Sequence, residues 1–166
     1  MSNAKVLSSL PRVGLGTDTH RLVHGEGIYL GGVFIACPFS CHAVSDGDVL
    51  LHALVDALLG ACGQGDIGEW YPADAVTRGQ ASDLFVRESL AKLGDAGYAV
   101  GNVDSVIDLE VVRLAEWKQE IRASLAALLD IAPEHVNVKA KTAEGMGPVG
   151  EGRAVAAQVV VLVVPL

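Results

Sequence analysis

The segment from Ser45 to Gly60 constrains this chain more than any other. Ser45-Asp46-Gly47-Asp48 is followed by twelve residues, Val49 to Gly60, of which only His52 and Asp56 are polar. A serine three residues ahead of an acid resembles a capping box, and acids suit a helix N-terminus. A helix is therefore expected from Val49, ending at Gly60 or Gly63. His52 and Asp56 stand four apart, which puts them on one face a turn apart. A single histidine in an apolar helix is either a hydrogen-bonded core residue or a ligand. Asp56 is equally open: it orients His52, or it is a solvated helix acid.

The rest of the chain supplies something for that helix to pack on. Val13 to Thr19 and Ile28 to Ala36 read as strand regions, the second broken by Gly31-Gly32, with a turn at His24-Gly25-Glu26-Gly27 between them. Gly65 to Tyr71 is turn-rich with room for a short helix. Leu84, Phe85, Leu90, Ala91 and Leu93 mark a helix over Ser82 to Ala96 that stops near Gly97. Trp117 to Leu129 is a third helix, with Pro133 beyond its end. Asn102 to Leu109, Val136 to Lys141 and Val155 to Val164 complete the strands. The expectation is an α+β chain: one compact domain over residues 12–164, a mixed sheet packed by helices, and a short extension at 1–11.

Composition narrows the function. Twelve basic against twenty acidic residues leave a formal net charge of −8, without the basic footprint of a nucleic-acid binder. The most apolar run, Val155 to Leu166, is shorter than the ~20 residues of a membrane span and is interrupted by Gln158 and Pro165. No nucleic acid and no membrane are expected as partners. Cys37, Cys41 and Cys62 form no C-x-x-C pair and read as free thiols. With no leader-like apolar run in the first ten residues, a cytoplasmic location is expected. Nineteen glycines cluster without a period, which suggests tight turns or backbone close to a ligand.

Two local patterns carry chemistry. In Asp18-Thr19-His20 the carboxylate and imidazole stand two apart on a strand and face the same way. With His52 they form a suitable ligand set for a catalytic zinc, leaving a fourth position for a phosphate or water oxygen. A surface pair with no metal is the plainer reading of D-x-H alone. The second pattern is Lys139-Ala140-Lys141-Thr142-Ala143-Glu144-Gly145-Met146-Gly147. It offers lysines, a hydroxyl, a carboxylate and glycine-freed amides, the inventory for holding a diphosphate with a divalent cation on Glu144. Gly14-Leu15-Gly16 begins like a dinucleotide fingerprint, but position 19 is threonine, so that reading fails.

Together, these motifs resemble the 2-C-methyl-D-erythritol 2,4-cyclodiphosphate synthase family, in order and over nearly the whole chain. The matching pieces are Gly16 to His20, Ser45 to Ala61, Gly65-Asp66-Ile67-Gly68, Asn102-Val103-Asp104 and Val138 to Thr142. The resemblance implies a homotrimer with active sites between neighbours. It implies Zn2+ on Asp18, His20 and His52, and a second ion, Mg2+ or Mn2+, on Glu144 with the diphosphate. It implies substrate contacts from Asp18, Thr19, His20 and Ser45, and from Asp66, Ile67 and Gly68 to the methylerythritol part. Arg113, Lys141, Thr142 and Glu144 would hold the rest, with Thr142 as the catalytic, transition-state-stabilising group. The implied substrate is 4-diphosphocytidyl-2-C-methyl-D-erythritol 2-phosphate, whose 2-phosphate attacks the β-phosphorus and expels CMP.

The chain departs from the family pattern at three places. Val44 stands where a histidine usually precedes the Ser-Asp pair, with His42 two residues away. Val112-Arg113 stands for Pro-Lys beside the cytidine pocket, and Gly150-Glu151-Gly152-Arg153 for a pattern with arginine first. The first departure opens an alternative: a non-catalytic zinc- and cytidine-nucleotide-binding paralogue. A zinc hydrolase is a third reading, but it needs a general base, and Asp56 is better suited to orienting His52.

Overall fold

A computed structural model describes residues 10–72 and 79–166 of the chain. Most of the extension expected at 1–11 lies outside the described residues. The elements in order are β1 (Arg12–His24), β2 (Gly27–Leu30), β3 (Val33–Ala36), β4 (Phe39–Cys41), α1 (Val49–Cys62), α2 (Ile67–Trp70), α3 (Ser82–Asp95), β5 (Tyr98–Asp108), α4 (Lys118–Leu129), β6 (Val136–Lys141), α5 (Gly147–Gly150) and β7 (Ala154–Pro165). A 3-10 turn, Pro133–His135, links α4 to β6.

Five strands form one sheet in the order β4-β1-β7-β5-β6. Every neighbouring pair is antiparallel except β5 and β6, so the sheet is mixed. The parallel pair needs a crossover, and α4 supplies it. β2 and β3 form a separate hairpin turned by Gly31 and Gly32, both at positive φ. The expected single α+β domain with a mixed sheet packed by helices is what the structure shows. Strand β4 and the short helix α5 are additions to the sequence reading, both too short to leave a periodic signal.

Alternation decides which face of the sheet is covered. On β1, Gly14, Gly16, Asp18, His20 and Leu22 point to the helix side; Val13, Leu15, Thr17 and Thr19 point away and are exposed. Helix α1 lies directly on β1 because two of those inward residues are glycines. A Cβ at Gly16 would overlap the Ala53 carbonyl oxygen, and one at Gly14 the Ala57 carbonyl oxygen. The four-residue step from Ala53 to Ala57 rises about 6 Å, close to the rise of two strand residues, about 6.6 Å, so the two glycines receive successive turns. The same register carries the first turn of α1, with His52, over Asp18 and His20. Those glycines serve helix packing, which is the physical reason they resemble a fingerprint without being one.

The core is the buried side of α1 (Val49, Leu50, Leu51, Leu54, Val55, Leu58, Leu59) packed on β1, on the inward residues of β7 and on α3, while α3 and α4 cover β5 and β6. The expected capping residue, Ser45, does not cap this helix. The N-cap is Asp48, fully buried, whose side chain accepts from the Leu50 and Leu51 amides; Gly63 closes the other end in the left-handed conformation. No helix among the described residues is long and apolar enough to cross a membrane.

Candidate active site

Three polar side chains converge where β1 meets the first turn of α1. Asp18 Oδ2 lies 3.1 Å from His20 Nδ1 and 3.0 Å from His52 Nδ1. Ligand atoms of the three residues all fall within 4.8 Å of one another. The side chains of His20 and His52 are only 13% and 11% exposed, that of Asp18 26%. His52 therefore sits at this cluster, rather than being one more histidine satisfied inside the core.

The cluster suits a cation. His20 Nδ1 is buried and has no partner in hydrogen-bond geometry, although Asp18 is close. An unsatisfied buried nitrogen is costly, and a shared positive ion would satisfy it. The ligand atoms of a tetrahedral zinc stand about 3.3 Å apart, close to the separations here. In the chain alone, burial opposes ionisation of Asp18, but the close polar contacts and charge of His20 and His52 win and hold its carboxyl well below the usual range. Burial likewise works against a charged His20, and Asp18 overcomes it, raising the imidazole above its ordinary value. A carboxylate kept ionised beside two imidazoles is ready for a divalent metal.

A cavity of about 280 Å³ opens onto the cluster, lined by His20, Val44, Ser45, His52, Ile67, Gly68, Tyr71 and Phe85, among others. It thus holds Ser45, Ile67 and Gly68 of the expected substrate contacts. Asp66 N-caps α2 through a bond from the Glu69 amide, 3.1 Å, and so sets the loop that delivers Ile67 and Gly68. Thr19 braces the cluster through its backbone. Its side chain is on the outer face, and its backbone N–H donates to Asp18 Oδ1 at 2.8 Å. Asp56 accepts from the Ile67 amide at 2.7 Å, so it ties the loop to α1 and is not bonded to His52.

The other expected residues gather elsewhere. Arg113, Lys141 and Thr142 line a second cavity of about 420 Å³, with Glu110, Val112 and Lys118. The Thr142 hydroxyl donates to Glu144 Oε1 at 3.2 Å, and Glu144 takes a positive φ of 51° in the turn after β6. Glu110 braces that turn by accepting from the Ala143 amide at 3.0 Å. Val44 is 38% exposed at the first cavity, while His42 lies just past β4, exposed and not among the lining residues. Glu151 pairs with Arg153.

Sequence reasoning missed Asp46, Ser82, Tyr71 and Phe85. Tyr71 and Phe85 pack together, ring centroids 4.5 Å apart, as an apolar wall of the first cavity. Ser82 opens α3 and Asp46 lies in the loop before α1, 36 residues away, so no local spacing connects them.

Known proteins resemble the chain at every level. Residues 11–164 match the YgbB family. The 2-C-methyl-D-erythritol 2,4-cyclodiphosphate synthase of Treponema denticola is 46% identical over 147 residues, covering 88% of this chain and 91% of that one. A solved 2C-methyl-D-erythritol-2,4-cyclodiphosphate synthase in a CDP-bound form superposes with a TM-score of 0.85 at 36% identity, covering 92% of this chain and 99% of that one. The bifunctional IspDF of Campylobacter jejuni superposes with a TM-score of 0.91 at 32% identity, and the match covers 95% of this chain but 43% of that longer one. With the converging triad, the cavity beside it and these matches over nearly its full length, the chain belongs to the YgbB family, that of the 2-C-methyl-D-erythritol 2,4-cyclodiphosphate synthases.

Proposed function

We propose that the chain converts 4-diphosphocytidyl-2-C-methyl-D-erythritol 2-phosphate to 2-C-methyl-D-erythritol 2,4-cyclodiphosphate and CMP, as a phosphorus–oxygen lyase of isoprenoid biosynthesis. The observation that carries this reading is the convergence of Asp18, His20 and His52 beside a cavity that also holds Ser45, Ile67 and Gly68. The nucleophile belongs to the substrate, so the protein has to bring two anionic phosphates together rather than supply an attacking group. A bound dication at the triad, Zn2+ on this reading, supplies charge neutralisation and orientation of phosphate oxygens.

The remaining work falls to the chain's own residues. Ser45, at the mouth of the cavity, donates to a phosphate oxygen. Ile67, Tyr71 and Phe85 shield the methylerythritol part and keep water from competing with the 2-phosphate. In the second cavity Lys141 and Arg113 offset the charge of the diphosphate, and the Thr142 hydroxyl stabilises charge growing on the β-phosphate. Glu144 offers one carboxylate that would hold a magnesium-type ion, which would supply further positive charge to the diphosphate.

Two half-sites in separate cavities suit a homotrimer in which one subunit's triad faces its neighbour's Thr142. The exposed apolar residues of the outer sheet face, Val13, Leu15 and Val160, support such an assembly. The CDP-bound relative supports a cytidine nucleotide as the substrate's leaving side. Residues 12–164 make up the catalytic unit.

Phosphorus NMR of the protein with that substrate, Zn2+ and Mg2+ tests the reading. Cyclic diphosphate and CMP appearing together are expected. CMP with a linear product would make it a hydrolase, and saturable CDP binding without turnover would favour the non-catalytic paralogue.

A further inference from the structure

The His52 ring is engaged at both nitrogens. Nδ1 faces Asp18, while Nε2 lies 2.9 Å from Ser82 Oγ and 3.1 Å from Ser45 Oγ. Which nitrogen carries the proton follows from the donors along this line of contacts. An ionised carboxylate only accepts. Asp46 Oδ2 accepts from the Ser82 amide at 2.8 Å, and Oδ1 from the Asp48 amide at 3.2 Å and from the Ser82 hydroxyl in a close contact. The Ser82 hydroxyl has one proton, and it goes to Asp46. Toward His52 the same oxygen can then only accept, so Nε2 carries a proton, and Nδ1, 3.0 Å from Asp18 Oδ2, is the nitrogen that would present its lone pair to an ion held between them. Ser45 Oγ accepts from the Gly47 amide at 3.2 Å and is the longer of the two contacts on Nε2. The charge-assisted Ser82–Asp46 contact therefore sets the tautomer.

We infer that Asp46 and Ser82 are positioning residues for the metal centre: together they hold His52 as the Nε2–H tautomer with Nδ1 free to bind the ion. The inference rests on reading Asp18, His20 and His52 as a metal site. Ser82 is fully buried at the first turn of α3, and Asp46 stands three residues before Val49, the first residue of α1, so the pair also ties α3 to the helix that carries His52. A partner that fixes the free nitrogen of a ligating histidine sets both ring orientation and basicity. A purely structural tie would hold the helices and leave the tautomer and metal affinity unmoved.

The test uses the full chain as native protein and as Ser82→Ala, Ser82→Thr, Asp46→Asn and His52→Gln variants. Zinc affinity is read by chelator competition, and the His52 tautomer by nitrogen-15 NMR of the zinc-loaded native protein. Expected results are the Nε2–H form in the native protein, a loss of roughly 10–100-fold in zinc affinity for Ser82→Ala and Asp46→Asn, and near-native affinity for Ser82→Thr. Near-native affinity in Ser82→Ala and Asp46→Asn, with His52→Gln still losing zinc, overturns this inference and leaves the metal site standing. Native-like zinc binding by His52→Gln overturns the metal site and the inference with it. An Nδ1–H ring in the native protein overturns the inference whether or not any variant folds.

Discussion

Asp48 shows how much a single side chain can hold. It is fully buried, and burial pushes its carboxyl above the ordinary value while the amides of Gly32, Leu51 and Gly31 pull it back. Oδ1 accepts from Gly31 (2.9 Å), Leu50 (3.1 Å) and Leu51 (3.0 Å), and Oδ2 from Gly32 (2.7 Å). One carboxylate thus pins the β2–β3 hairpin to the start of α1, four residues before His52. Asp48→Asn should cost about 3 kcal/mol, because an amide group then faces amide donors; a loss under about 1 kcal/mol in chemical denaturation would contradict this. Glycines 31 and 32, expected as ordinary turn formers, turn out to be donors to this carboxylate as well. Cys41 shows the opposite use of the same field. Burial, then the carboxylates of Asp48 and Asp18, push its thiol up to about 12. At pH 8 only ~1 in 10⁴ such thiols is ionised, so iodoacetamide should modify Cys41 far more slowly than a peptide cysteine, as followed by mass spectrometry.

At the scale of elements, the contact of α1 with β1 makes the site. Gly16→Ala puts a methyl group against the Ala53 carbonyl, so the helix must move and His52 with it. The expected cost is at least about 2 kcal/mol, together with weaker zinc binding. Gly60→Ala is the contrast: it is helical, and its added Cβ would meet nothing nearer than the Leu15 carbonyl oxygen at 3.9 Å. It should stabilise the protein by about 0.5–1 kcal/mol. Equal thermal shifts for the two would refute the packing account. Helix α1 itself was readable from its apolar run, and β6 from Val136 to Lys141 as expected. The N-cap was not, because Ser45 and Asp48 both satisfy the local pattern and only the hairpin's amides select Asp48.

At the scale of the whole molecule, helices cover one sheet face, and among the described residues the other presents exposed apolar side chains. Val13 and Leu15 are 63% and 62% exposed, with Val160 on the strand paired to Leu15. The same face carries Lys139, which donates to Asp104 at 2.6 Å. If the proposed homotrimer is built through this face, Leu15→Glu should give monomers in sedimentation with the fold intact, and should lower turnover far more than metal affinity. That split follows if the triad belongs to one subunit and the Thr142 cavity to the next. Trimers that survive Leu15→Glu would move the interface elsewhere.

The sequence by itself determined the periodic and local features: the alternation that puts Asp18 and His20 on one face, the apolar helix interrupted by His52 and Asp56, and the order of motifs that marks the family. Spacings of two and four residues come from backbone geometry and need no partner. Tertiary structure decided which groups met. His52 joined Asp18 across 34 residues because two glycines let α1 rest on β1. Asp56 turned to the Ile67 amide instead of His52, and the place beside the ring went to Ser82 and Asp46. A buried polar group takes the partner that packing brings within reach, and no spacing along the chain encodes that.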